Sequence, residues 1–566
     1  MSDKNIYEML SEERKRMQAE GTMPEWYTTG GWQLFKSKYL YEADTIKEQF
    51  ERIARTAATH LKSIGLEQQA KEKFFQLLWD GWLSPSTPVL SNMGTARGLP
   101  VSCSGGVIID SIDGFYSARR ESALLTKHGF GTSANLSDIR SRGSVISGGG
   151  IAAGVLPVLK GFIQDMRDVA QGSSRRGAWA GYLDIDHGDF DEVADFVKNN
   201  PDDANIGWII RQSFIDRLES GDKRALEKYQ KVLHLKMVTG KGYFSFVDKI
   251  NAKRPKMYVD NGLEVNASNL CNEICLFSDE HHTFSCVLSS MNLAKWHEFK
   301  DTDAVYWATI FLDCVAEEFI QRASGISGLE KVVAFTKKGR ALGLGVTGFH
   351  TMLQQDMLPF ESFETHLRNQ EVFRHLDLES QRASKWLASK FGEPEWCKGS
   401  GFGNTHRIAI APTKSTASLM GGVSEGINAD PAMTYIQSGA GGEIKRANPT
   451  LLKLMKERKV YTKKVMNDIT DHVGSVQHVD WLTPHERMVF KTAFEINQEV
   501  VIRLASVRGK YIDQWQSLNL AFGADEDEGW ISKIHKQAFL DPNILGLYYI
   551  QSAAGIVASK ECAACQ

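Results

Sequence analysis

The sequence predicts a mixed α/β fold with largely parallel strands, and three observations predict it. From about residue 83 to about residue 430, short apolar runs alternate with helical stretches, for example at 101–110, 341–349 and 407–413. Before this region, residues 1 to about 96 read as helical, and after it the chain becomes helical again. Strands that alternate with helices are typical of parallel sheets joined by crossover helices.

The two helical ends carry start and stop signals. Within Asp44–Gly65 apolar residues recur every three or four positions, Asp44 or Thr45 can cap the start, and Gly65 can close the end. Thr483–Glu486 has a capping-box pattern with proline at the first helical position, which predicts a helix start. We expect a helical domain over 1–96, the α/β region over 97–430, a mostly helical domain over 431–549 and a mobile tail over 550–566.

Charge and hydropathy exclude several classes of protein. The 566 residues include 66 Lys and Arg against 69 Asp and Glu, a net charge of -3, without the basic surplus of a nucleic-acid-binding protein. The chain has no apolar run of the roughly 18 residues that span a membrane, and its polar N-terminus lacks the apolar core of a secretory signal. Eight cysteines in so long a chain indicate a reducing, cytoplasmic setting.

The segment Ser268–Asn292 concentrates redox and acid/base groups. Asn269, Cys271 and Glu273 alternate with other residues, so an extended conformation would point an amide, a thiol and a carboxylate to one side. A second thiol, Cys286, opens an apolar run a few residues later. We interpret this segment as the reaction centre.

The remaining cysteines divide into structural and redox candidates. Cys314 lies in an apolar helical run and fits a small buried hydrophobe, Cys397 has no chemical partner in the sequence, and Cys275 stays ambiguous beside the centre. Cys562 and Cys565 form a C-x-x-C pair in a small, polar tail, which suits a mobile dithiol carrier. Half a zinc site is the alternative, but no second ligand pair completes it, so redox exchange is favoured and no metal site is expected.

Three polar loops suit phosphate groups. Arg140–Gly154 and Gln171–Gly177 combine glycine with arginine, and exposed N–H groups and guanidinium forks both favour anions. Another apolar run is followed by Lys414, Ser415 and Thr416, where α/β folds commonly hold phosphate. Simple connecting loops and a surface Ser/Thr loop are the alternatives.

Taken together, these residues resemble the large, catalytic subunit of ribonucleotide reductase. The resemblance covers nearly the whole chain from about residue 25, and its motifs occur in a fixed order. They are STP at 86–88, SC at 102–103, DSID at 110–113, the two Gly/Arg loops, NLCNE at 269–273, CVLS at 286–289, LGLGVTGF at 342–349, APTKSTAS at 411–418, LYY at 547–549 and the terminal CAAC.

The resemblance implies a ten-stranded α/β barrel with a central loop that carries the reacting thiol. Cys271 would become a thiyl radical and abstract the 3′ hydrogen of a ribonucleotide. Glu273 would be the general base at the 3′-hydroxyl, and Asn269 would hold the sugar hydroxyls. Cys103 and Cys286 would supply the two reducing equivalents that replace the 2′-hydroxyl and would end as a disulfide. The product would be a 2′-deoxyribonucleotide for DNA synthesis.

Tyr548 and Tyr549 distinguish subclasses within this resemblance. Adjacent tyrosines are ordinarily core or interface residues, but here they fall where class I enzymes carry a tyrosine relay to the thiyl cysteine. Class I implies a separate small subunit that contains a metal and supplies the radical, ribonucleoside diphosphate substrates, and no cofactor bound covalently to this chain. The alternative is the adenosylcobalamin-dependent class II, which has no need of the tyrosine pair.

The resemblance also assigns nucleotide-binding and exchange roles. The tail dithiol would reduce the Cys103–Cys286 disulfide and be recycled by a thioredoxin- or glutaredoxin-like donor. The helix after the effector-binding aspartate would lie in a homodimer interface, and the segment before STP is too short for the ATP-binding cone of longer members, so we do not expect dATP inhibition through this subunit. Substrate would contact Thr87, Ser102, Asn269, Pro412, Thr413, Lys414, Ser415 and Thr416; a nucleoside triphosphate effector would contact Asp110, Ser111, Ile112, Arg140, Gln171, Arg175 and Arg176.

A non-catalytic nucleotide-binding or redox-sensing protein with the same fold is a third interpretation. Such a protein would keep the Gly/Arg loops but would have no use for Glu273 or the terminal cysteine pair. The enzyme interpretation is therefore favoured.

Overall fold

The computed structural model describes residues 3–171, 175–203, 205–439 and 442–552; residues 3–5, 170–171, 175–176, 436–439 and 442–445 are described by their backbone alone. Its longer helices are Asp3–Ala19, Thr29–Lys38, Ile46–Ala58, Glu67–Trp79, Ile112–Lys127, Val155–Asp168, Phe190–Asn199, Gln212–Glu219, Lys223–Thr239, Ala304–Ala323, Glu330–Gly339, Phe363–Phe391, Pro449–Glu457, Lys463–Asp471, Gln498–Arg508 and Glu528–Leu540. Shorter helices are Thr87–Asn92, Val247–Lys253, Lys256–Asp260, Trp296–Phe299, Phe349–Gln355, Lys414–Leu419 and Pro484–Val489.

Nine strands of the described chain form one mixed sheet. Eight of them follow in the spatial order Leu83–Pro85, Phe284–Asn292, Cys103–Val107, Gly131–Asn135, Trp179–Asp184, Asn205–Ile209, Tyr243–Ser245 and Gly546–Leu547, and Leu342–Thr347 is a further partner of Phe284–Asn292. Three two-stranded pairs lie outside this sheet: Ala170–Gln171 with Arg175–Arg176, Thr434–Gly439 with Gly442–Ala447, and Leu520–Phe522 with Ile550–Ser552.

The main sheet has two largely parallel halves that meet in an antiparallel pair, and the strands Leu83–Pro85 and Gly546–Leu547 each add an antiparallel partner. The strands from Cys103–Val107 to Tyr243–Ser245 all run parallel. Phe284–Asn292 runs antiparallel to Cys103–Val107 and parallel to Leu342–Thr347. Isolated parallel bridges at Ile408, Ile410 and Gln516 continue this second half. The mixed α/β fold predicted from the sequence is confirmed.

The strand Phe284–Asn292 is buried along its whole length. Its residues are apolar or small and uncharged, which is the composition of a strand covered on both faces. The neighbouring Leu342–Thr347 strand carries Gly343, where a Cβ atom would lie only 2.8 Å from Cys286 Sγ. This glycine lets the two strands approach around the thiol.

The predicted helix signals at both ends of the chain are confirmed. Thr45 accepts a hydrogen bond from the Glu48 N–H and caps the helix Ile46–Ala58, which continues as a 3-10 helix to Ile64. Gly65 then adopts a left-handed conformation with φ 72°. Thr483 and Glu486 form the expected reciprocal capping box.

A smaller hydrophobic cluster lies between Met433 and Phe490 and is separate from the main core. It packs the helices Pro449–Glu457, Lys463–Asp471 and Pro484–Val489 together. Within the part of the chain that the structure describes, no helix has the length and apolar character needed to cross a bilayer.

Candidate active site

The NLCNE segment forms a turn at the centre of the molecule. The Asn272 N–H donates to the Asn269 carbonyl over 3.2 Å, and Asn272 has a left-handed backbone with φ 63°. The extended conformation expected from the alternation of side chains is therefore wrong. Asparagine tolerates the left-handed region better than most residues, so the sequence permits a turn that the alternation does not reveal.

Several hydrogen bonds from the surrounding barrel fix this turn. The Asn272 amide donates to the Phe244 carbonyl at 2.9 Å and to the Leu547 carbonyl at 3.3 Å. The Tyr182 hydroxyl lies 2.6 Å from the Asn269 carbonyl and 3.2 Å from Asn272 Oδ1. Because these partners come from distant strands, the turn is anchored at both of its ends.

Glu273 is a fully buried carboxylic acid, with 0% of its surface exposed. The Ser517 hydroxyl lies 3.3 Å from Glu273 Oε2, and the same hydroxyl donates to the Cys271 carbonyl at 2.8 Å. Oε1 is buried without a hydrogen-bond partner among the described residues. Burial raises the pKa of Glu273 to about 7, against the opposing effect of its hydrogen bonds. A carboxyl group with this pKa can accept a proton near neutral pH.

Asn269 connects the turn to Cys103, the first of the two thiols predicted to form the redox pair. Its Oδ1 accepts from the Glu273 and Ile274 backbone N–H groups at 3.1 and 3.2 Å, which fixes the orientation of the amide. Its Nδ2 then points to Cys103 Sγ at 3.6 Å. The Asn269 side-chain oxygen is therefore bound to backbone N–H groups, and its NH2 group faces the Cys103 thiol.

Cys103 and Cys286 face each other across the antiparallel strand pair. Directly opposed residues in such a pair have Cα atoms roughly 4.5–5.5 Å apart, which is within the range that a disulfide can bridge. Burial raises the pKa of the Cys286 thiol well above its usual value, and the Gln514 amide lies 3.4 Å from its sulfur. The structure thus brings together two cysteines that are far apart in the sequence.

Tyr548 and Tyr549 lie next to the turn. The Tyr548 hydroxyl is 3.6 Å from Cys271 Sγ. The two tyrosine rings have their centroids 3.9 Å apart, and the Tyr243 hydroxyl lies 3.5 Å from that of Tyr549. The phenols therefore form a continuous series of contacts that ends at Cys271 Sγ.

The predicted phosphate loop lies beyond the ends of two neighbouring strands. Thr413 has a left-handed backbone with φ 58°, and its hydroxyl lies 2.9 Å from that of Thr347, the last residue of the Leu342–Thr347 strand. The Gly426 N–H also donates to the Thr413 hydroxyl at 2.8 Å. A short helix, Lys414–Leu419, begins immediately after this turn.

The other residues expected to bind substrate are placed as follows. Ser415 and Thr416 are buried at the start of that helix, and Pro412 precedes the turn. Ser102 is buried next to Cys103, and its hydroxyl has no hydrogen-bond partner among the described residues. The Thr87 hydroxyl lies 3.3 Å from that of Tyr39 in the N-terminal helical region. The predicted substrate residues thus include buried hydroxyl groups from several separate segments of the chain.

The predicted effector residues lie on an exposed surface. Arg140 donates to Asp110 over 2.6 Å, and Ser111 caps the helix Ile112–Lys127 by accepting from the Gly114 N–H. Ile112 is 72% exposed. The side chains of Gln171, Arg175 and Arg176, and the tail cysteines Cys562 and Cys565, lie outside the described residues.

Among the described residues, one group of side chains could hold a metal ion, and it belongs to a different part of the chain from the turn. Asp468, His472 and His478 bring potential ligand atoms within 4.8 Å of one another, and all three are exposed. They belong to the small unit between Met433 and Phe490, which is separate from the main core.

Sequence reasoning did not identify Tyr182, Ser517, Gln514 or Tyr243. Each of these residues contacts the turn, a redox thiol or the tyrosine pair through its side chain. Tyr182 and Tyr243 lie in apolar strands, where a tyrosine is expected for packing alone. Ser517 and Gln514 lie in a stretch without a motif, so only their position in space reveals them.

Two family models match this chain. The ribonucleotide reductase barrel domain matches residues 101–230, 224–400 and 394–549, and the ribonucleotide reductase all-alpha domain matches residues 25–98. A frog virus 3 protein, named as a ribonucleoside-diphosphate reductase large subunit, is 30% identical over 540 residues, which cover 89% of this chain and 94% of that protein. The ribonucleoside-diphosphate reductase large subunit of invertebrate iridescent virus 3 is 28% identical, with 94% of each chain covered.

A solved structure resembles the whole arrangement. The class Id ribonucleotide reductase alpha subunit of Actinobacillus ureae has a TM-score of 0.86 and 36% sequence identity, and the match covers 95% of this chain and 99% of that one. At this identity and coverage, the similarity extends beyond the fold class.

Proposed function

This chain belongs to the ribonucleotide reductase large-subunit family, and we propose that it is the catalytic subunit of a class I ribonucleoside-diphosphate reductase. It makes 2′-deoxyribonucleotides for DNA synthesis. The relatives named as diphosphate reductases and the class Id alpha subunit support this function over the adenosylcobalamin-dependent alternative. The observation that carries the proposal is the contact of the Tyr548 hydroxyl with Cys271 Sγ at 3.6 Å.

Cys271 is the thiyl residue in this proposal. A radical on Tyr548 takes the hydrogen atom of the Cys271 thiol, and the resulting thiyl radical abstracts the 3′ hydrogen of the bound ribonucleotide. Glu273 takes the 3′-hydroxyl proton, which its pKa of about 7 suits. Asn269, held by two backbone N–H groups, positions the sugar hydroxyls.

Cys103 and Cys286 supply the electrons. As the 2′-hydroxyl leaves as water, the two thiols give up two electrons and two protons and form a disulfide. Their opposed positions in the sheet support this step. Cys271 then returns a hydrogen atom to the 3′ carbon, and the radical goes back along the tyrosine pair.

The proposal assigns substrate phosphates to the loop Pro412–Thr416, and sugar contacts to Thr87 and Ser102. The left-handed turn at Thr413 and the buried, unpartnered hydroxyl of Ser102 support this assignment. Asp110, Ser111, Ile112 and Arg140, with Gln171, Arg175 and Arg176, bind a nucleoside triphosphate effector at a homodimer interface.

The proposal includes partners outside this chain. A small subunit that contains a metal generates the radical, and the metal chemistry belongs to that subunit. Cys562 and Cys565 reduce the disulfide and are recycled in the cytoplasm by a thioredoxin- or glutaredoxin-like protein. The proposal divides the chain into a helical region over 1–96, a barrel over 97–430, a mostly helical region over 431–549 and a redox-active tail over 550–566.

The decisive experiment compares two cysteines that lie four residues apart. Cys271→Ala should abolish CDP reduction with a small subunit of class I, whereas Cys275→Ala should retain it, because Cys275 contributes a backbone N–H, not its thiol, to Gln514. Adenosylcobalamin alone should give no product from CDP or CTP. Full turnover by the Cys271→Ala enzyme would show that the thiyl assignment is wrong.

A further inference from the structure

Lys236 is a buried lysine beside the tyrosine pair. It lies on the helix Lys223–Thr239, and 0% of its surface is exposed. Its ammonium donates to the Gly242 carbonyl at 2.8 Å and also to the Tyr548 carbonyl. No carboxylate of the described residues forms an ion pair with it. Burying a cation without a paired carboxylate costs folding free energy, so the groups that Lys236 holds in place are of interest for function.

The surroundings of Lys236 offer little other stabilisation for its charge. The ring of Phe244 lies 5.3 Å from Nζ. The titratable group that faces it from the helix Glu528–Leu540 is His535, whose pKa is lowered to about 3 mainly by burial, so this imidazole is neutral near pH 7. Burial also lowers the pKa of Lys236 itself to about 7. Among the described residues, the hydrogen bonds of Lys236 Nζ therefore go to carbonyl oxygens.

The backbone of the tyrosine pair is held from two sides. On one side, the Tyr548 N–H donates to the Leu518 carbonyl at 2.8 Å and the Tyr549 carbonyl accepts from the Leu520 N–H at 3.1 Å. On the other side, the Ile550 N–H donates to the Gly240 carbonyl at 3.1 Å, just after the Lys236 helix ends. Lys236 is the side chain that completes this second side, because it binds both the turn after its helix and Tyr548.

We propose that Lys236 is a positioning residue for radical transfer, holding the Tyr548 carbonyl so that its phenol stays in contact with Cys271 Sγ and with the Tyr549 ring. This inference rests on the proposed function of the tyrosine pair. In the step it supports, the tyrosyl radical and the Cys271 thiol become a phenol and a thiyl radical by transfer of one hydrogen atom, and Lys236 neither gains nor loses a proton. A shift of about 1 Å in such a geometry can cost roughly 100-fold in rate.

The chain contains a matched control, Lys249. This lysine is also buried, lies 4.2 Å from the centroid of an aromatic ring, and donates to the carbonyls of Ala538, Phe539 and Asp541 at 3.1, 2.6 and 2.8 Å. Burial likewise lowers its pKa to about 7. It differs from Lys236 in that it holds the end of a helix instead of the tyrosine pair.

The test compares Lys236→Met with Lys249→Met in the full-length subunit, assembled with its radical-generating partner. Both variants should lose thermal stability. Lys236→Met alone should lower kcat for CDP reduction, by about 10- to 100-fold, with KM for CDP unchanged. The decay of the partner's radical signal on addition of CDP should slow in parallel. Lys236→Gln, whose amide can donate two hydrogen bonds, should recover part of the lost kcat.

Equal kcat values for the two methionine variants, after correction for folded protein, would overturn the proposal. If Lys236→Met does not fold, Lys236→Ala is compared with Lys249→Ala, and equal kcat values again overturn it. Tyr549→Phe separates this inference from the proposed function. An inactive Tyr549→Phe enzyme with an unimpaired Lys236→Met enzyme would reject only the role of Lys236, whereas an active Tyr549→Phe enzyme would reject the relay itself.

Discussion

The thiol turn and the proposed effector surface, formed by Asp110, Ser111, Ile112 and Arg140, are built in opposite ways. Around the turn, Asn269, Cys271, Glu273 and Cys286 are fully buried and are connected by side-chain contacts from several strands. At the effector surface, Ile112 is 72% exposed, and Asp110 makes an exposed ion pair with Arg140. The buried residues around the turn are therefore already in contact within this chain. The proposed effector residues, in contrast, form a surface that a nucleotide and a second subunit can still cover.

This difference predicts where a substitution costs activity and where it costs only regulation. Buried groups that contact one another are coupled, so their removal affects chemistry and stability together. Exposed ion pairs contribute roughly 0–1 kcal/mol to folding, so their removal should leave the barrel unchanged. The following predictions test this contrast in order of decreasing effect.

Cys286→Ala should give the largest loss. Without one of the two opposed thiols no disulfide can form, so repeated turnover should fall to background even with excess dithiothreitol. Cys314→Ala is the matched control, because Cys314 is also buried but lies on the helix Ala304–Ala323. Deoxycytidine diphosphate formation measures both variants. Wild-type turnover by Cys286→Ala would exclude this cysteine from the redox pair.

Glu273→Gln should lower kcat by about 100- to 10,000-fold, the usual contribution of a general base. In the wild-type enzyme, kcat should rise as the pH increases through about 7, because burial raises the pKa of Glu273 to that value and the base must be ionised. The glutamine variant should lack this rise. A pH profile of CDP reduction measures it, with Asp430→Asn, another buried carboxyl with a raised pKa, as the control.

The stability of the wild-type protein should depend on pH in the opposite direction from kcat: it should fall as the pH rises, and Glu273→Gln should weaken this fall. The pKa of Glu273 is raised on folding from 4.5 to about 7, so its stabilising contribution is fully present below about pH 4.5 and is lost as the pH rises through about 7. The loss is about 3 kcal/mol. The free energy of unfolding of Glu273→Gln should therefore fall less between about pH 5 and about pH 8 than that of the wild type. Identical pH dependences would contradict this assignment.

Tyr182→Phe should have an intermediate effect. It removes a buried hydroxyl that bonds to the Asn269 carbonyl and to Asn272 Oδ1, which should cost about 1–3 kcal/mol of unfolding free energy. Because the turn carries Cys271, kcat should fall as well, by about tenfold. Tyr229→Phe, which removes a hydroxyl that donates to the Ser532 carbonyl at 3.0 Å, should lose stability while it keeps kcat. An equal effect of both variants on kcat would show that the turn does not depend on Tyr182.

Sequence reasoning selected residues that the structure brings together, and it failed where the site depends on backbone geometry. The motif at 269–273 identifies the thiol and the carboxylate, yet its alternation predicts a strand, and the positive φ of Asn272 makes it a turn. The opposition of Cys103 and Cys286 depends on strand register, which 182 intervening residues do not reveal. Lys236 and Gln514 are recognised only from what their side chains reach.

Arg140→Ala should have the smallest effect on the stability of the folded protein, because Arg140 lies on the exposed surface. Its ion pair with Asp110 is exposed, so the unfolding free energy should change by less than about 1 kcal/mol, and CDP reduction without effector should be unchanged. The stimulation of CDP reduction by a nucleoside triphosphate should nevertheless weaken, because the guanidinium offers a fork for phosphate oxygens once Asp110 is displaced. Arg142→Ala, which removes a similar exposed pair with Glu192, is the control and should keep full stimulation. Loss of stimulation in both variants, or in neither, would mean that the effector does not distinguish these two arginines and that the surface around Asp110 is not its binding site.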